Sequence, residues 1–577
     1  MTYLFNAPDK FVDEMIDGFV AAHQGMISRV GGGVIRRHKA KPGQVVIVIG
    51  GGSGHYPAFG GLVGQGLVHG AAMGNVFASP SAQQICNVAR AVDAGGGILF
   101  CLGNYAGDVL NFNQAQEQLQ AQGIDVRSVV VSDDIASGAI SERHLRRGIA
   151  GTLPVFKAAG VAAEAGKSLD EVFRIATKAN LRVRTLGVAF SGCTLPGAQQ
   201  PLFAVQHGKM EVGMGIHGES GLYQMDAPDA DGLAGMLVDK LLEDIPEEIS
   251  QCDGARVAVM LNSLGSVSQE ELFVVYRKVD QLLWERGLII VGPVVDRVIT
   301  SFDMAGVSLT LFWLNDELEQ TWVAAAETPS FKRGYVQEPD GDQAITEITV
   351  ARPGVVEIGT KDSRKIAAII LEALNSAQQV IESQHNELGR LDAVAGDGDH
   401  GIGMLRGVTA AVDAAGQAHD LRAGAGSLLG VAGDAWADKA GGTSGALWGV
   451  LLRNLGNQLG DETRPGIAAV AAGVSSALQA VMKAGNARPG NKTLVDVLHP
   501  FSAALDQAAA DGLSVADAWE MAGNIADKAA QMTLDLLPKI GRARPHAEKS
   551  IGTPDPGAVS MALIINAVKP VIRKYCS

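Results

Sequence analysis

Two hydrophobic rhythms divide this chain. Between about residues 44 and 315, short runs rich in Val, Ile, Leu and Phe alternate with amphipathic stretches. Apolar runs at 44–49, 97–102, 126–131, 255–261, 288–291 and 307–313 have the length and β-branched content of buried strands. Strands alternating with helices predict an α/β layout. Beyond about residue 361 the strand pattern stops. Ala, Leu and Gln dominate, and apolar positions recur at helical spacing in 365–383, 466–482 and 514–536. This half is predicted to be all helical. Between the two, residues 334–353 carry Pro, Gly and Asp without a period, as a linker does. The predicted organisation is an α/β half over 1–335 with a break between two lobes near 180–190, a linker over 336–360, and an all-helical half over 361–577.

Composition narrows the class. A chain of 577 residues exceeds one core, and about 150 residues per domain implies three or four folding units. Charged residues make up 19% and there are 72 glycines, a mix suited to a glycine-looped enzyme rather than a disordered or fibrous chain. A net charge of −15 argues against nucleic-acid binding and against anchoring to an anionic membrane. No apolar run is expected to reach membrane-spanning length, and residues 1–10 lack a basic segment followed by an apolar one. The five cysteines (Cys86, Cys101, Cys193, Cys252, Cys576) are widely spaced and odd in number, which fits reduced thiols in the cytoplasm.

The richest chemistry lies at 391–401, where Asp392, Asp397 and Asp399 crowd into eight residues with glycines either side of Asp397. Clustered carboxylates repel one another unless a hard divalent cation joins them, and Mg²⁺ so held shares its other positions with phosphate and water. A solvated acidic turn is the plainer reading of such a cluster. Other segments decide between them. Residues 45–49 run into Gly50-Gly51-Gly52-Ser53-Gly54-His55, a strand entering a glycine-rich turn whose amides suit an anion or sugar. This is neither a dinucleotide fingerprint nor a nucleophile elbow, since His55 stands where either would need glycine. Asp108 follows the predicted strand at 97–102, where α/β sheets collect ligands; the competing role is a helix N-cap. His217 lies among four glycines of 213–221, poor cover for a core histidine and better suited to a ligand-facing imidazole. Gly441-Gly442-Thr443-Ser444-Gly445 is a small-residue turn entering a helix, suited to phosphate. The segment 485–493 nearly spells a phosphate-binding loop, but Asn491 breaks it and no strand precedes it.

In combination, Gly-Gly-Gly-Ser-Gly-His, Gly-Asn-Val-Phe-Ala-Ser-Pro at 74–80, Asn-Tyr-x-Gly-Asp at 104–108, Gly-Ile-His-Gly-Glu at 215–219 and Gly-Asp-Gly-Asp-His at 396–400 resemble the dihydroxyacetone kinase family in its single-chain, ATP-dependent form. The resemblance spans essentially the whole chain. It implies two α/β lobes that bind a ketose, followed by a barrel of eight antiparallel helices with ATP at its mouth. It implies that His217 adds to the ketone as a hemiaminal, that Asp108 is the base for the phosphorylated hydroxyl, and that His55 is its acid/base partner. Gly52, Ser53 and Gly54 fall on the substrate loop. Asp392, Asp397 and Asp399 fall on the Mg²⁺ ligands. His400, Gly401, Ile402, Gly403, Thr443, Ser444, Gly485, Leu494, Arg542, Asp555, Pro556 and Gly557 fall on the nucleotide contacts. The family forms a dimer that exchanges domains between chains, and a homodimer is expected here.

Departures bear on the substrate. Members acting on dihydroxyacetone usually carry Gly-His-Glu-Pro-x-His and a lysine before Asn-Tyr; here the segments read His55-Tyr56-Pro57-Ala58-Phe59 and Gly103-Asn104-Tyr105. Gly103 adds room and Tyr56 a hydroxyl, changes that resemble the branch acting on erythrulose, a four-carbon ketose. Competing readings are a ketose sensor without turnover and a cyclising lyase activity on FAD.

Overall fold

The structure, a computed structural model, describes residues 2–219, 221–249, 251–335, 358–541 and 543–576. The chain divides into two compact units, Met1–Ala351 and Arg352–Ser577. Of the expected linker over 336–360, residues 336–357 lie outside the described residues.

Besides a two-stranded sheet, Ala326–Glu327 with Lys332–Arg333, the first unit holds two large sheets. One runs through β1 (Ile27–Val30), β2 (Gly33–Arg36), β3 (Val46–Ser53), β4 (Gly70–Val76), β5 (Ile98–Gly103) and β6 (Val126–Val131), in the order β1-β2-β4-β3-β5-β6. Its β4-β3-β5-β6 portion is parallel. The second sheet has β7 (Val183–Ala189), β8 (Lys209–Val212), β9 (Tyr223–Asp226), β10 (Arg256–Ser263), β11 (Ile289–Ile290), β12 (Val294–Asp296) and β13 (Gly306–Trp313). Its centre, β10-β13-β7-β8-β9, is antiparallel. The β-branched runs at 97–102, 126–131, 255–261 and 307–313 thus form strands. The run at 288–291 gives only a two-residue strand.

Strand alternation explains the layering. In the first sheet Ile47, Ile49, Leu99, Cys101, Val129 and Val131 face one core, while Val46, Val48, Ile98, Phe100 and Leu102 face another. The outer face is covered by helices Ala82–Val92 and Ala106–Gln120. The second sheet likewise turns Val257, Val259 and Leu261 to an outer core with helices Ala230–Leu242 and Gln269–Glu285. Its Ala258, Met260 and Phe312 join the core of Ile47 and Leu99. One central core therefore binds both sheets, with helix Thr152–Glu164 inside it. Each fully buried Leu, Ile or Phe there is worth about 1.5–3 kcal/mol relative to exposure.

The second unit is all helical among its described residues. Its eight helices are Lys361–Asp392, His400–Asp420, Ala425–Ala440, Gly442–Leu459, Ile467–Ala484, Val495–Ala510, Val515–Met532 and Pro556–Cys576. Each packs on the next and the last packs back on the first, which closes a ring. Most of the connections are short, which makes the walls they join antiparallel; the one from Met532 to Pro556 is long. One expectation is corrected here. Ile467–Ala484 is long and apolar enough to cross a membrane, with mean hydropathy 1.4. Much of that comes from alanine, and the helix packs as one wall of the ring.

Candidate active site

The parallel strands β3, β5 and β6 all end beside one pocket, as open α/β sheets place their ligands. It is lined by Gly52 and His55 after β3, by Gly103, Tyr105 and Asp108 after β5, by Gly148 and Thr152, and by His217 from the loop after β8. The structure thus brings His55, Asp108 and His217 together.

The two imidazoles are set in the same way. His55 is fully buried, and its Nδ1–H donates to the Thr300 carbonyl at 2.8 Å, since a carbonyl can only accept. Its ring stacks on Phe77 at 4.9 Å and stands perpendicular to His217 at 4.7 Å. His217 donates from Nδ1–H to Glu219 Oε1 at 3.1 Å, and its backbone N–H donates to Glu219 Oε2 at 2.9 Å. Each neutral ring therefore carries its lone pair on Nε2. An imidazole nitrogen of this kind can serve as a nucleophile or as a proton acceptor.

A buried charge network fixes Glu219. A Cβ at Gly215 would collide with Glu219 Oε2 and Arg147 Nη1, so glycine is required where the carboxylate and guanidinium converge. Arg147 donates from Nε to Asp134 Oδ2 at 2.9 Å and from Nη2 to the Gly213 carbonyl at 2.8 Å. Burial alone would ease a proton off Arg147, but Asp134 and Glu219 more than offset this and raise its pKa. Asp133 next door accepts from the amides of Ile149 and Gly151 at 2.8 and 2.7 Å. Burial pushes its pKa up to about 6. It thereby pins the turn carrying Gly148 and Thr152 against the pocket.

Asp108 is the third residue of helix Ala106–Gln120, and the N-cap is Tyr105, so the capping role weighed for Asp108 is not the one it has. Asp108 is buried in the first turn of that helix and lines the pocket. Tyr105 lays its ring edge-on to His217 at 4.6 Å. Burial first, then the Glu219 charge, raises its pKa, so the phenol keeps its proton. Its hydroxyl has no hydrogen-bond partner among the described residues. Gly103 makes room for that ring, because a Cβ there would lie 3.1 Å from it.

The other candidates fall differently. Gly52 lines the pocket, and a Cβ on it would lie 2.7 Å from the Ala78 nitrogen. Gly54 adopts φ +108°, and a Cβ on it would collide with the rings of Phe302 and Phe77. Ser53 turns its hydroxyl to the Gly74 carbonyl at 2.7 Å. Tyr56 is half exposed, packs edge-on to Phe19, and accepts from Ser330 Oγ at 2.8 Å; the structure does not bring it to the pocket lining.

In the helical unit, Asp392 ends one helix, Asp397 follows in the connection, and Asp399 is the N-cap residue of the next helix, through its backbone and without a side-chain cap bond. Carboxylate oxygens of the three lie within 4.8 Å of one another. Burial, then the neighbouring Asp392, pushes Asp399 up to about 7. A hard cation would relieve that repulsion, so the donor set fits Mg²⁺. Burial likewise pushes Asp555 up to about 7 while it accepts from the Ala558 amide at 2.7 Å.

Helix N-termini surround this cluster. Gly401, Ile402 and Gly403 open one helix, Thr443 and Ser444 a second, and Pro556 and Gly557 a third. The first amides of such helices lack internal partners and carry partial positive charge, an anion site. Leu494 precedes a fourth, but there Thr493 already accepts from Val495 and Asp496. Gly485 ends helix Ile467–Ala484. Arg542 lies outside the described residues. Sequence reading named no role for Glu219, Arg147, Asp133 or Asp134. Glu219 was within reach, two residues from His217; the others answer to the fold alone.

Known proteins share this two-part plan. A Dak1 domain is matched over residues 17–330 and a DAK2 domain over 394–569. An L-erythrulose kinase of Pectobacterium atrosepticum is 56% identical over 573 residues, covering 99% of this chain and 97% of its own. A D-erythrulose kinase of Mycolicibacterium smegmatis is 49% identical, covering 98% of each. The crystal structure of the dihydroxyacetone kinase from C. freundii in complex with AMP-PNP and Mg²⁺ is 29% identical, with TM-score 0.52 and 99% of both chains covered.

Proposed function

From the premise that the chain belongs to the dihydroxyacetone kinase family, we propose that it transfers the γ-phosphoryl group of ATP to a terminal hydroxyl of a short ketose, with a four-carbon, erythrulose-type ketose favoured over dihydroxyacetone. The observation that carries this reading is the convergence in one pocket of His217, whose Nδ1–H is held by Glu219, with His55 and Asp108.

The residues divide the work. The Nε2 lone pair of His217 adds to the ketone carbon. An N–C bond forms, the C=O π bond becomes an alkoxide that takes up a proton, and the Nδ1 proton passes toward Glu219. The product is a hemiaminal, which a polyol without a carbonyl cannot form; selectivity against glycerol follows. Asp108 accepts the proton of the attacking hydroxyl, and His55 Nε2 stands ready to share it. Phosphoryl transfer needs mainly positioning and charge stabilisation. The amides at 401–402, 443–444 and 557 supply part of it to the phosphates. Asp392, Asp397 and Asp399 would hold Mg²⁺, which neutralises phosphate charge when bound.

The ketose and nucleotide sites belong to separate units, and this supports a homodimer that exchanges domains between chains. The four free cysteines among the described residues support a cytoplasmic enzyme. The clustered Asp392, Asp397 and Asp399 weigh against a sensor without turnover. The test is an ADP-release assay of the purified chain over dihydroxyacetone, D- and L-erythrulose and glycerol. Turnover that depends on ketose and Mg²⁺, highest with an erythrulose, is the expected result. Ketose binding without ADP release would overturn the kinase reading.

A further inference from the structure

His400 opens helix His400–Asp420, yet its ring faces other helices. Nε2 lies 2.9 Å from Ser560 Oγ and Nδ1 lies 3.3 Å from Ser444 Oγ. Proton bookkeeping orders the chain. With the Ser560 hydroxyl donated to the Gly557 carbonyl at 3.1 Å, its oxygen accepts from His400 and the imidazole proton sits on Nε2, on the side where the ring also meets the Pro556 backbone. Nδ1 is then the acceptor and Ser444 Oγ–H the donor. The three groups come from the openings of three different helices, His400–Asp420, Gly442–Leu459 and Pro556–Cys576. His400 is buried, and Ser560 is fully buried a turn inside its own helix. The His400 amide also lies 3.3 Å from Asp392 Oδ2, which ties the same corner to the end of a fourth helix.

We propose that His400 is a positioning residue whose imidazole clamps the first turns of these three helices together, so that their free amides converge on one set of phosphates. The ring itself is spent on Ser444, Ser560 and the Pro556 backbone, and makes no nucleotide contact. Ser444 has likewise committed its hydroxyl proton, so it meets the nucleotide through its backbone amide, whereas Thr443 keeps its hydroxyl for the ligand. The inference rests on the nucleotide reading of this mouth.

Ser560 discriminates, because it touches His400 and lies outside the expected nucleotide contacts. Calorimetric titration of Mg-ATP would be run on the full chain and on Ser560→Ala, His400→Ala, the double variant, and His400→Gln, whose amide N–H can still reach Ser560. One lost buried hydrogen bond corresponds to about a fivefold to tenfold loss of affinity for Ser560→Ala. His400→Ala should lose more, the double variant no more than His400→Ala, and His400→Gln should recover part of the loss. In steady state the effect should fall on KM for ATP, with KM for ketose unchanged. Ser560→Ala binding ATP like the native chain, or losses that multiply in the double variant, would overturn the clamp. Thr443→Ala and Asp397→Ala report on the premise: if neither changes ATP affinity, the nucleotide reading fails, whatever Ser560 does. Should His400→Ala not fold, Ser560→Ala and His400→Gln decide alone.

Discussion

The two units carry their candidate sites in opposite ways, and the proposed function gives the difference a reason. In the α/β unit the pocket is built from side chains: two imidazoles with assigned tautomers, a carboxylate at a helix start, and a charge network behind them. In the helical unit the mouth is built from backbone, with the amides of three helix openings set around three carboxylates. The ligands explain the difference. A ketone offers one electrophilic carbon and is distinguished from an alcohol by reactivity, so it needs a specific nucleophile. A polyphosphate offers many equivalent oxygens and high charge, which dipoles and a cation satisfy without a particular side chain. Substitutions in the first unit should therefore change what reacts, and substitutions in the second how tightly and productively phosphate is held.

The largest effects should come from Asp108→Ala and Asp397→Ala. Removing the base should cost about 10²–10⁴-fold in kcat, with ketose capture intact. Removing a metal carboxylate should cost as much, but raise the Mg²⁺ concentration for half-maximal rate. Mass spectrometry of the ketose adduct and Mg²⁺ titration of the rate separate them. Adduct loss in Asp397→Ala would erase the contrast between the units.

Mixing variants tests how the units cooperate. His217→Ala and Asp397→Ala are each expected to be inactive. If a ketose site of one chain meets the nucleotide site of its partner, each mixed dimer contains one intact pair. Co-refolding equal amounts should then restore roughly a quarter of native activity. No recovery would place both sites of a working pair on one chain.

Glu219→Gln sharpens the first unit from within. Glutamine keeps an acceptor for Nδ1–H but loses the charge that receives its proton as the hemiaminal forms. About a tenfold to hundredfold loss in kcat/KM for ketose is expected, in the range of second-sphere histidine partners, with KM for ATP unchanged. Adduct formation at the native rate would assign Glu219 to packing alone.

How much of this was legible beforehand differs between the units for the same reason. The strands at 97–102 and 126–131 and the helical half were readable because burial enforces period on sequence. Asp392, Asp397 and Asp399 were readable because a connection between two helices keeps them adjacent in sequence. The network behind His217 was not: Asp134, Arg147 and Glu219 come from distant segments, and only the packing of two sheets brings them together. The role of His400 was hidden too, since its partners are Ser444 and Ser560, far along the chain.

The smallest effect should come from Tyr56, where sequence comparison expected a hydroxyl at the substrate. That hydroxyl meets Ser330, and the ring leans on Phe19, half exposed to solvent. Exposed neutral hydrogen bonds of this kind contribute about 1 kcal/mol or less to stability. Tyr56→Phe keeps the ring packing and deletes only that bond. Rates with erythrulose and dihydroxyacetone should therefore both stay within about threefold of native, and their ratio should not move. Gly103→Ala is the counterpart inside the pocket, because its new methyl would press on the Tyr105 ring that stands against His217. A shifted ketose ratio in Gly103→Ala but not in Tyr56→Phe would locate ketose discrimination at the end of β5. The reverse pattern would mean that the 56–59 segment reaches substrate in a way its contacts with Ser330 and Phe19 do not indicate.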